Sequence, residues 1–273
     1  MDRNAEGPRT GSLPDGEGRS RAVAEAVASV LRRRILDGVL EDGDTLPKQD
    51  VLLAEFRVGR TTLRQAMRIL ETEGLVTVRR GKIGGAVVHA PRPQDAAYMF
   101  GMVMHKRRVP LEDLSLALRS LEPVCVGLCA RRPDRDRAVL PELEAVHDEM
   151  VRHLDDGAVY VRATRRFHEA IVRTCGNQTM QILLSAIEEL WGRQEALWMS
   201  KGLRETGRTT RLAGALEHAQ LIELIAAGDE VGAYRLAVRH LEGAHAFPLS
   251  THGSHPVEAG ERTSADKGTA SAF

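Results

Sequence analysis

Residues 60–88 decide the fold, and they read Arg60-Thr61-Thr62-Leu63-Arg64-Gln65-Ala66-Met67, then Leu70-Glu71-Thr72-Glu73-Gly74-Leu75-Val76-Thr77-Val78-Arg79-Arg80-Gly81-Lys82, then Gly84-Gly85-Ala86-Val87-Val88. A basic amphipathic helix in this stretch ends at Gly74. It is followed by a β-branched strand, a basic glycine-rich tip and a second β-branched strand. A helix of this size fits the DNA major groove, and arginines on such a hairpin reach phosphates or the adjacent minor groove. The pattern therefore predicts a recognition helix followed by a wing.

Two further helices are predicted before this stretch. Residues 21–37 carry apolar side chains at helical spacing, and Leu46-Pro47 opens a second helix that runs to Phe56. Three helices and a two-stranded wing make a winged helix-turn-helix.

Eight residues of this domain are predicted to contact DNA. The buried face of the third helix leaves Arg60 and Arg64 one turn apart on the opposite side, where they suit guanine edges and phosphates. A solvated basic face is the alternative interpretation of such a pair, and the following strand-turn-strand favours DNA. The predicted contacts are Arg60, Thr61, Thr62 and Arg64 on the helix and Arg79, Arg80, Gly81 and Lys82 on the wing.

The charge of the chain is unevenly distributed, although its net charge is zero over 273 residues. Residues 20–92 contain 13 Lys and Arg against 9 Asp and Glu, whereas residues 93–247 contain 20 against 22. A basic first unit and a slightly acidic second unit indicate a nucleic-acid partner for the first unit only.

The remainder of the chain is predicted to be helical, so the fold class is mainly α. We predict a disordered tail over 1–19, the winged helix-turn-helix over 20–90, a linker and first connecting helix over 91–110, an antiparallel all-α bundle over 111–247 and a second disordered tail over 248–273. One continuous helix is expected from Asp134 to Leu154.

Composition also excludes several classes of protein. The sequence has no apolar run of about 18 residues, so no membrane span is expected. The first residues lack the apolar segment of a signal peptide, and three cysteines are too few for a disulfide framework. We therefore expect reduced thiols and a cytoplasmic location.

Three histidines in the second half of the chain lie on three different predicted helices. His168, His218 and His240 each neighbour apolar positions, and a helical bundle can bring such residues to one interior site. Taken singly, each is more often an ordinary core histidine than a metal ligand.

The first unit resembles the winged helix-turn-helix of GntR-family transcription regulators. The shared residues are Leu46-Pro47, Leu52, Val58, Arg60-Thr61-Thr62-Leu63-Arg64, Ala66-Met67, Leu70-Glu71, Glu73-Gly74-Leu75 and the glycine-rich wing. Gly59 differs from the Ser or Thr that usually caps the recognition helix in this family, and glycine is a weaker cap.

The second unit resembles the helical FCD effector domain of the FadR subfamily. The motifs that carry this resemblance are Leu118-Arg119-Ser120-Leu121-Glu122-Pro123, Phe167-His168, Cys175-Gly176-Asn177, Glu217-His218, Ile225-Ala226-Ala227-Gly228-Asp229 and Arg239-His240-Leu241. Many such domains hold a divalent metal with one Asp and three His, and a small carboxylate effector against that metal. The resemblance implies metal ligands at His168, His218 and His240, and an effector-facing guanidinium at Arg119.

One position departs from the family's metal site. Thr164 stands where the family's aspartate would lie, one turn before His168. Three neutral histidines still suit Zn²⁺ or Ni²⁺, with water or effector completing the coordination shell. A metal-free polar pocket is the alternative.

The resulting prediction is a non-enzymatic transcription regulator. We expect a homodimeric repressor that binds a pseudo-palindromic operator and responds to a small carboxylate effector. A metal-dependent hydrolase using the three histidines would need a general base, and Glu169 and Glu217 point about 100° away from their sequence neighbours His168 and His218. A structural DNA-binding protein without an effector would not need the second unit.

Overall fold

The computed structural model of the chain describes residues 15–79, 85–200 and 207–258, and it divides after Pro91 into two compact units. The first unit contains α1 (Asp15–Leu36), α2 (Gln49–Phe56), α3 (Arg60–Thr72), β1 (Val76–Arg79) and β2 (Gly85–Val88). The three helices and the hairpin agree with the predicted winged helix-turn-helix. Helix α1 begins at Asp15, so the predicted tail over 1–19 is wrong for its last five residues.

The core of the first unit comes from one face of each helix. Leu31 of α1, Leu52 of α2 and Leu70 of α3 are almost fully buried there, as is Val88 of β2. Burial of each such side chain stabilises the fold by about 1.5–3 kcal/mol. Because this face of α3 is buried, its opposite face lies toward solvent.

The wing is a two-stranded antiparallel sheet in which Val76 faces Val88 and Arg79 faces Gly85. Thr45 adds a single bridge to Val87 on the other side of β2. A Cβ on Gly85 would lie 3.0 Å from the Thr45 methyl carbon, so glycine permits this close approach.

The second unit is a bundle whose helices pack around one aliphatic core. Its helices are α4 (Pro93–Arg107), α5 (Leu111–Arg131), α6 (Arg135–Ala138), α7 (Leu140–Arg152), α8 (Gly157–Thr174), α9 (Gln178–Ser200), α10 (Arg208–Ala227) and α11 (Glu230–His252). Helix α5 packs against α11, α7 against α8, and α4 against α9. None of the helices in the described ranges is long and apolar enough to cross a membrane.

The single helix predicted from Asp134 to Leu154 is two helices in the structure. It breaks at Val139, whose φ of −123° and ψ of −60° lie outside the helical range. Pro141 follows two residues later, and a proline there has no N–H for a continuous helix and restricts the residue before it.

The predicted carboxy-terminal tail is also wrong at its beginning. Helix α11 continues to His252, and Val257 is fully buried. Backbone hydrogen bonds join this segment to the start of α5: Leu111 N–H donates to the His255 carbonyl at 2.9 Å, and Val257 N–H donates to the Val109 carbonyl at 2.9 Å. Residues 253–258 are therefore part of the bundle.

Candidate nucleic-acid interface and metal centre

Helix α3 presents a polar face to solvent. Leu63, Ala66 and Leu70 are buried beneath it, and their spacing leaves Arg60 and Arg64 exposed one turn apart. Thr61 is exposed and Thr62 is half-buried. The helix starts after Gly59, which contributes no side-chain cap, so the first N–H groups of α3 have no capping side chain from that residue.

Two exposed arginines in or next to α3 were not among the predicted residues. Arg68 lies one turn after Arg64, and Arg57 ends α2 in the left-handed conformation with φ 52°. The i, i+4 spacing of Arg60, Arg64 and Arg68 was visible in the sequence and could have included Arg68.

The wing is connected to α3 by a side-chain contact that the sequence did not reveal. The Glu71 carboxylate accepts a hydrogen bond from the Val78 N–H at 3.0 Å. Arg79 is exposed at the end of β1. The other predicted wing contacts, Arg80, Gly81 and Lys82, lie outside the described residues.

The three predicted histidines lie together inside the second unit. His168 comes from α8, His218 from α10 and His240 from α11, and one possible ligand atom of each lies within 4.8 Å of the others. His218 is fully buried and His240 is 5% exposed. The fold therefore brings together residues 22 to 72 positions apart in the chain.

Each histidine has a partner for its Nδ1 atom. His168 Nδ1 lies 2.5 Å from Glu122 Oε1, His240 Nδ1 lies 2.6 Å from Glu217 Oε2, and His218 Nδ1 lies 3.2 Å from the Met150 sulfur. An ionised carboxylate only accepts hydrogen bonds, so Nδ1 of His168 and of His240 carries the proton. A thioether sulfur is likewise only a weak acceptor, which assigns the same tautomer to His218.

This tautomer leaves a lone pair on Nε2 of each neutral ring. His218 Nε2 and His240 Nε2 are 3.0 Å apart, so two lone pairs would face each other unless a proton or a metal ion lies between them. Carboxylates behind metal-ligating imidazoles are a common arrangement, because they orient the ring and increase its basicity. The donor set therefore fits a divalent cation such as Zn²⁺.

The protonation preferences of the rings differ. Burial lowers the pKa of His218 well below its usual range, and the neighbouring His240 and His168 lower it further. Burial also lowers the pKa of His240, although Glu217 opposes this effect. Burial alone would lower the pKa of His168, but Glu122 outweighs it and raises that pKa. His218 and His240 are thus held neutral, as metal ligands must be.

Thr164 lies beside this cluster, at the wall of a cavity of about 280 Å³. Its hydroxyl donates to the Met150 sulfur at 3.9 Å. Because a hydroxyl is neutral, Thr164 supplies no anionic oxygen to the histidines. The three histidines line the same cavity, together with four carboxylate side chains: Glu122, Glu188, Glu195 and Glu217.

Arg119 does not lie in the wall of this cavity. It is half-buried on α5, and its Nε has no hydrogen-bond partner within the described part of the chain. Among the described residues, the arginines that line the cavity are Arg165 and Arg211, and neither was predicted from the sequence. Arg165 donates to Glu169 and Glu189, both at 2.9 Å, and Arg211 donates to the Leu154 carbonyl at 2.6 Å.

Comparison with protein families matches both units. Residues 23–87 match the family model described as bacterial regulatory proteins, gntR family, and residues 113–243 match the FCD domain. This chain belongs to the GntR family. The FCD match is consistent with the FadR-like subfamily, and the two matched segments together cover most of this GntR-family regulator.

Relatives of the regulator carry the same description. An HTH-type transcriptional regulator of Mycobacterium tuberculosis is 28% identical over 63% of this chain and 70% of its own length. The galactonate operon transcriptional repressor of Escherichia coli is 27% identical over 61% of this chain and 72% of its own length. A solved structure of a GntR protein of Streptococcus agalactiae has the same fold, with a TM-score of 0.63 and 22% identity over 82% of this chain and 99% of that one.

These comparisons establish the general function. The protein is a DNA-binding transcription regulator with an FCD effector domain, as the sequence predicted. They support this function and not the hydrolase or the structural DNA-binding alternative. In the structure, the Nδ1 atoms of His168 and His240 donate to the carboxylates of Glu122 and Glu217.

Proposed function

We propose that this regulator is a homodimeric repressor whose binding to a pseudo-palindromic operator changes when a small carboxylate effector occupies the second unit. The observation that carries the effector part is the convergence of three imidazoles in the lining of one cavity. The repressor assignment is supported by the name of the galactonate operon relative.

The proposed DNA contacts are Arg60, Thr61, Thr62 and Arg64 of α3 and Arg79, Arg80, Gly81 and Lys82 of the wing. The exposed face of α3 supports the helix contacts, because its arginines are available to base edges and phosphates. One winged helix reads only a few base pairs, so two copies related by a twofold axis are needed to select one site in a genome.

The proposed metal ligands are the Nε2 atoms of His168, His218 and His240. A divalent ion there would supply a Lewis-acidic centre that binds a carboxylate oxygen of the effector. Glu122 and Glu217 would hold two of the rings in the ligating tautomer. Arg119 is also proposed as a partner of the effector carboxylate. Because it does not line the cavity, its side chain would have to move to make this contact.

The proposal is tested on purified protein by elemental analysis, native mass spectrometry and footprinting of operator DNA with and without candidate acids. We expect about one divalent ion per chain and a dimeric mass. His218→Ala should abolish metal and effector binding while operator binding without effector falls little. A metal-free wild type that shows no binding of added Zn²⁺ or Ni²⁺ would contradict the metal part, and a monomer at micromolar concentration would contradict the dimer.

A further inference from the structure

Glu188 is a buried carboxyl group that has no hydrogen-bond partner among the described residues. It lies on α9, is 8% exposed and lines the cavity next to the histidine cluster. Both of its carboxylate oxygens are buried, and neither has a hydrogen-bond partner in the part of the chain that the structure describes. Buried polar atoms in proteins are nearly always hydrogen-bonded, because an unpaired one loses its water contacts without compensation.

The surrounding charges do not compensate Glu188. Arg165 is a nearby cation, but it donates its hydrogen bonds to Glu169 and Glu189 instead. Glu122 is a second carboxylate on the cavity wall and is bound to His168. Burial first, and then the negative charges of Glu122 and Glu169, raise the pKa of Glu188 well above its usual range, and Arg165 opposes this only in part.

Among the described residues, the arginines of the cavity wall are therefore already engaged and do not neutralise Glu188. Four carboxylate side chains line it against two arginines, and both arginines have protein acceptors. A ligand that carried only a carboxylate could pair with Glu188 only while Glu188 kept its proton, through a single O–H donor. A ligand that also carried a cationic donor would pair with it, and charge-assisted hydrogen bonds are about twice as strong as neutral ones.

We propose that the effector is an amino-carboxylate, with its carboxylate on the histidine side of the cavity and its protonated amine bound by Glu188. This inference rests on the proposed effector function and specifies the class of ligand. Glu188 acts as a specificity-determining residue, because it favours amino acids over hydroxy acids and unsubstituted acids of the same shape.

Two matched series of probes test this specificity. The full-length protein, supplied with Zn²⁺, is titrated calorimetrically with L-alanine, L-lactate and propionate, and with 4-aminobutyrate, 4-hydroxybutyrate and butyrate. In at least one series, the amino compound should bind about tenfold or more tightly than both relatives, as expected for one additional charge-assisted hydrogen bond.

Substitution of the carboxyl group identifies the residue responsible. Glu188→Gln should remove the preference for the amine while the other two acids bind as they do to wild type. Glu223→Gln is the matched control, because Glu223 is exposed on α10 and does not line the cavity. This control should retain the full preference, and circular dichroism confirms that both variants are folded.

The failures are distinguishable. Equal binding of amino, hydroxy and unsubstituted acids would overturn the amino-carboxylate inference and leave the proposed effector function standing. A preference for the amine that survives in Glu188→Gln would also overturn it. If no acid of either series binds to wild type, the inference and the proposed carboxylate effector both fail.

Discussion

The two carboxylates behind the histidines should contribute unequally to metal affinity. Glu122 is 4% exposed in its side chain and bonds His168, whereas Glu217 is 40% exposed and bonds His240. Losing such an outer partner typically weakens metal binding by about 10–100-fold, or roughly 1.4–2.7 kcal/mol. Solvent screens the exposed carboxylate and not the buried one. We therefore expect about 100-fold weaker Zn²⁺ binding in Glu122→Gln and about tenfold in Glu217→Gln.

The assay is competition for Zn²⁺ against a chromophoric chelator at pH 7, with each dissociation constant referred to wild type. Glutamine preserves side-chain length and an acceptor oxygen, so the measured loss reports the negative charge. Glu223→Gln, on the same helix as Glu217, should bind Zn²⁺ like wild type. Unchanged affinity in both variants, or a larger loss in Glu217→Gln than in Glu122→Gln, would refute the assignment of these carboxylates as outer partners of ligating imidazoles.

Three further outcomes are expected. Replacing Arg60 or Arg64 with Ala should cost roughly 1–3 kcal/mol of specific operator affinity, whereas Arg79→Ala should weaken all sequences similarly and reduce the salt slope, as measured by fluorescence anisotropy. Unchanged affinity in the Arg60→Ala/Arg64→Ala double variant would contradict recognition by α3. Thr164→Asp should tighten divalent-metal binding in calorimetric titration, because it places an anionic oxygen near the histidines. Glu188→Gln should raise the melting temperature more at pH 8 than at pH 5. Because the pKa of Glu188 is raised, the folded chain binds more protons than the unfolded chain. The contribution of Glu188 to the free energy of unfolding is therefore fully present below about pH 4.5 and is lost as the pH rises. An equal shift at both pH values would contradict this prediction.

Local sequence patterns predicted the helices best where a residue with special backbone geometry ends them. The recognition helix was predicted to end at Gly74, and α3 ends at Thr72, just before Gly74 adopts the left-handed conformation with φ 79°. The same reasoning failed at Pro141. Proline is favourable near the start of a new helix, but the apolar pattern around Pro141 had been interpreted as one continuous helix.

Long-range contacts explain the error at the carboxy-terminal end of the predicted domains. The segment 253–258 is polar in composition and contains only one fully buried apolar side chain, Val257. Its order comes from backbone hydrogen bonds to residues 109–112, which lie more than 140 positions away. Periodicity within a window of about 11–18 residues contains no information on such pairing.

The histidine site shows a similar division between what local geometry predicts and what it omits. Because neighbouring helix positions point about 100° apart, Glu217 could be expected not to serve His218, and it does not. Glu217 instead reaches α11, where its carboxylate accepts a hydrogen bond from His240 Nδ1 at 2.6 Å. Likewise, Glu122 serves His168 from 46 positions earlier in the chain. The three histidines were predictable from resemblance. Their carboxylate partners depend on the packing of α5 against α8 and of α10 against α11, and only the folded bundle specifies this packing.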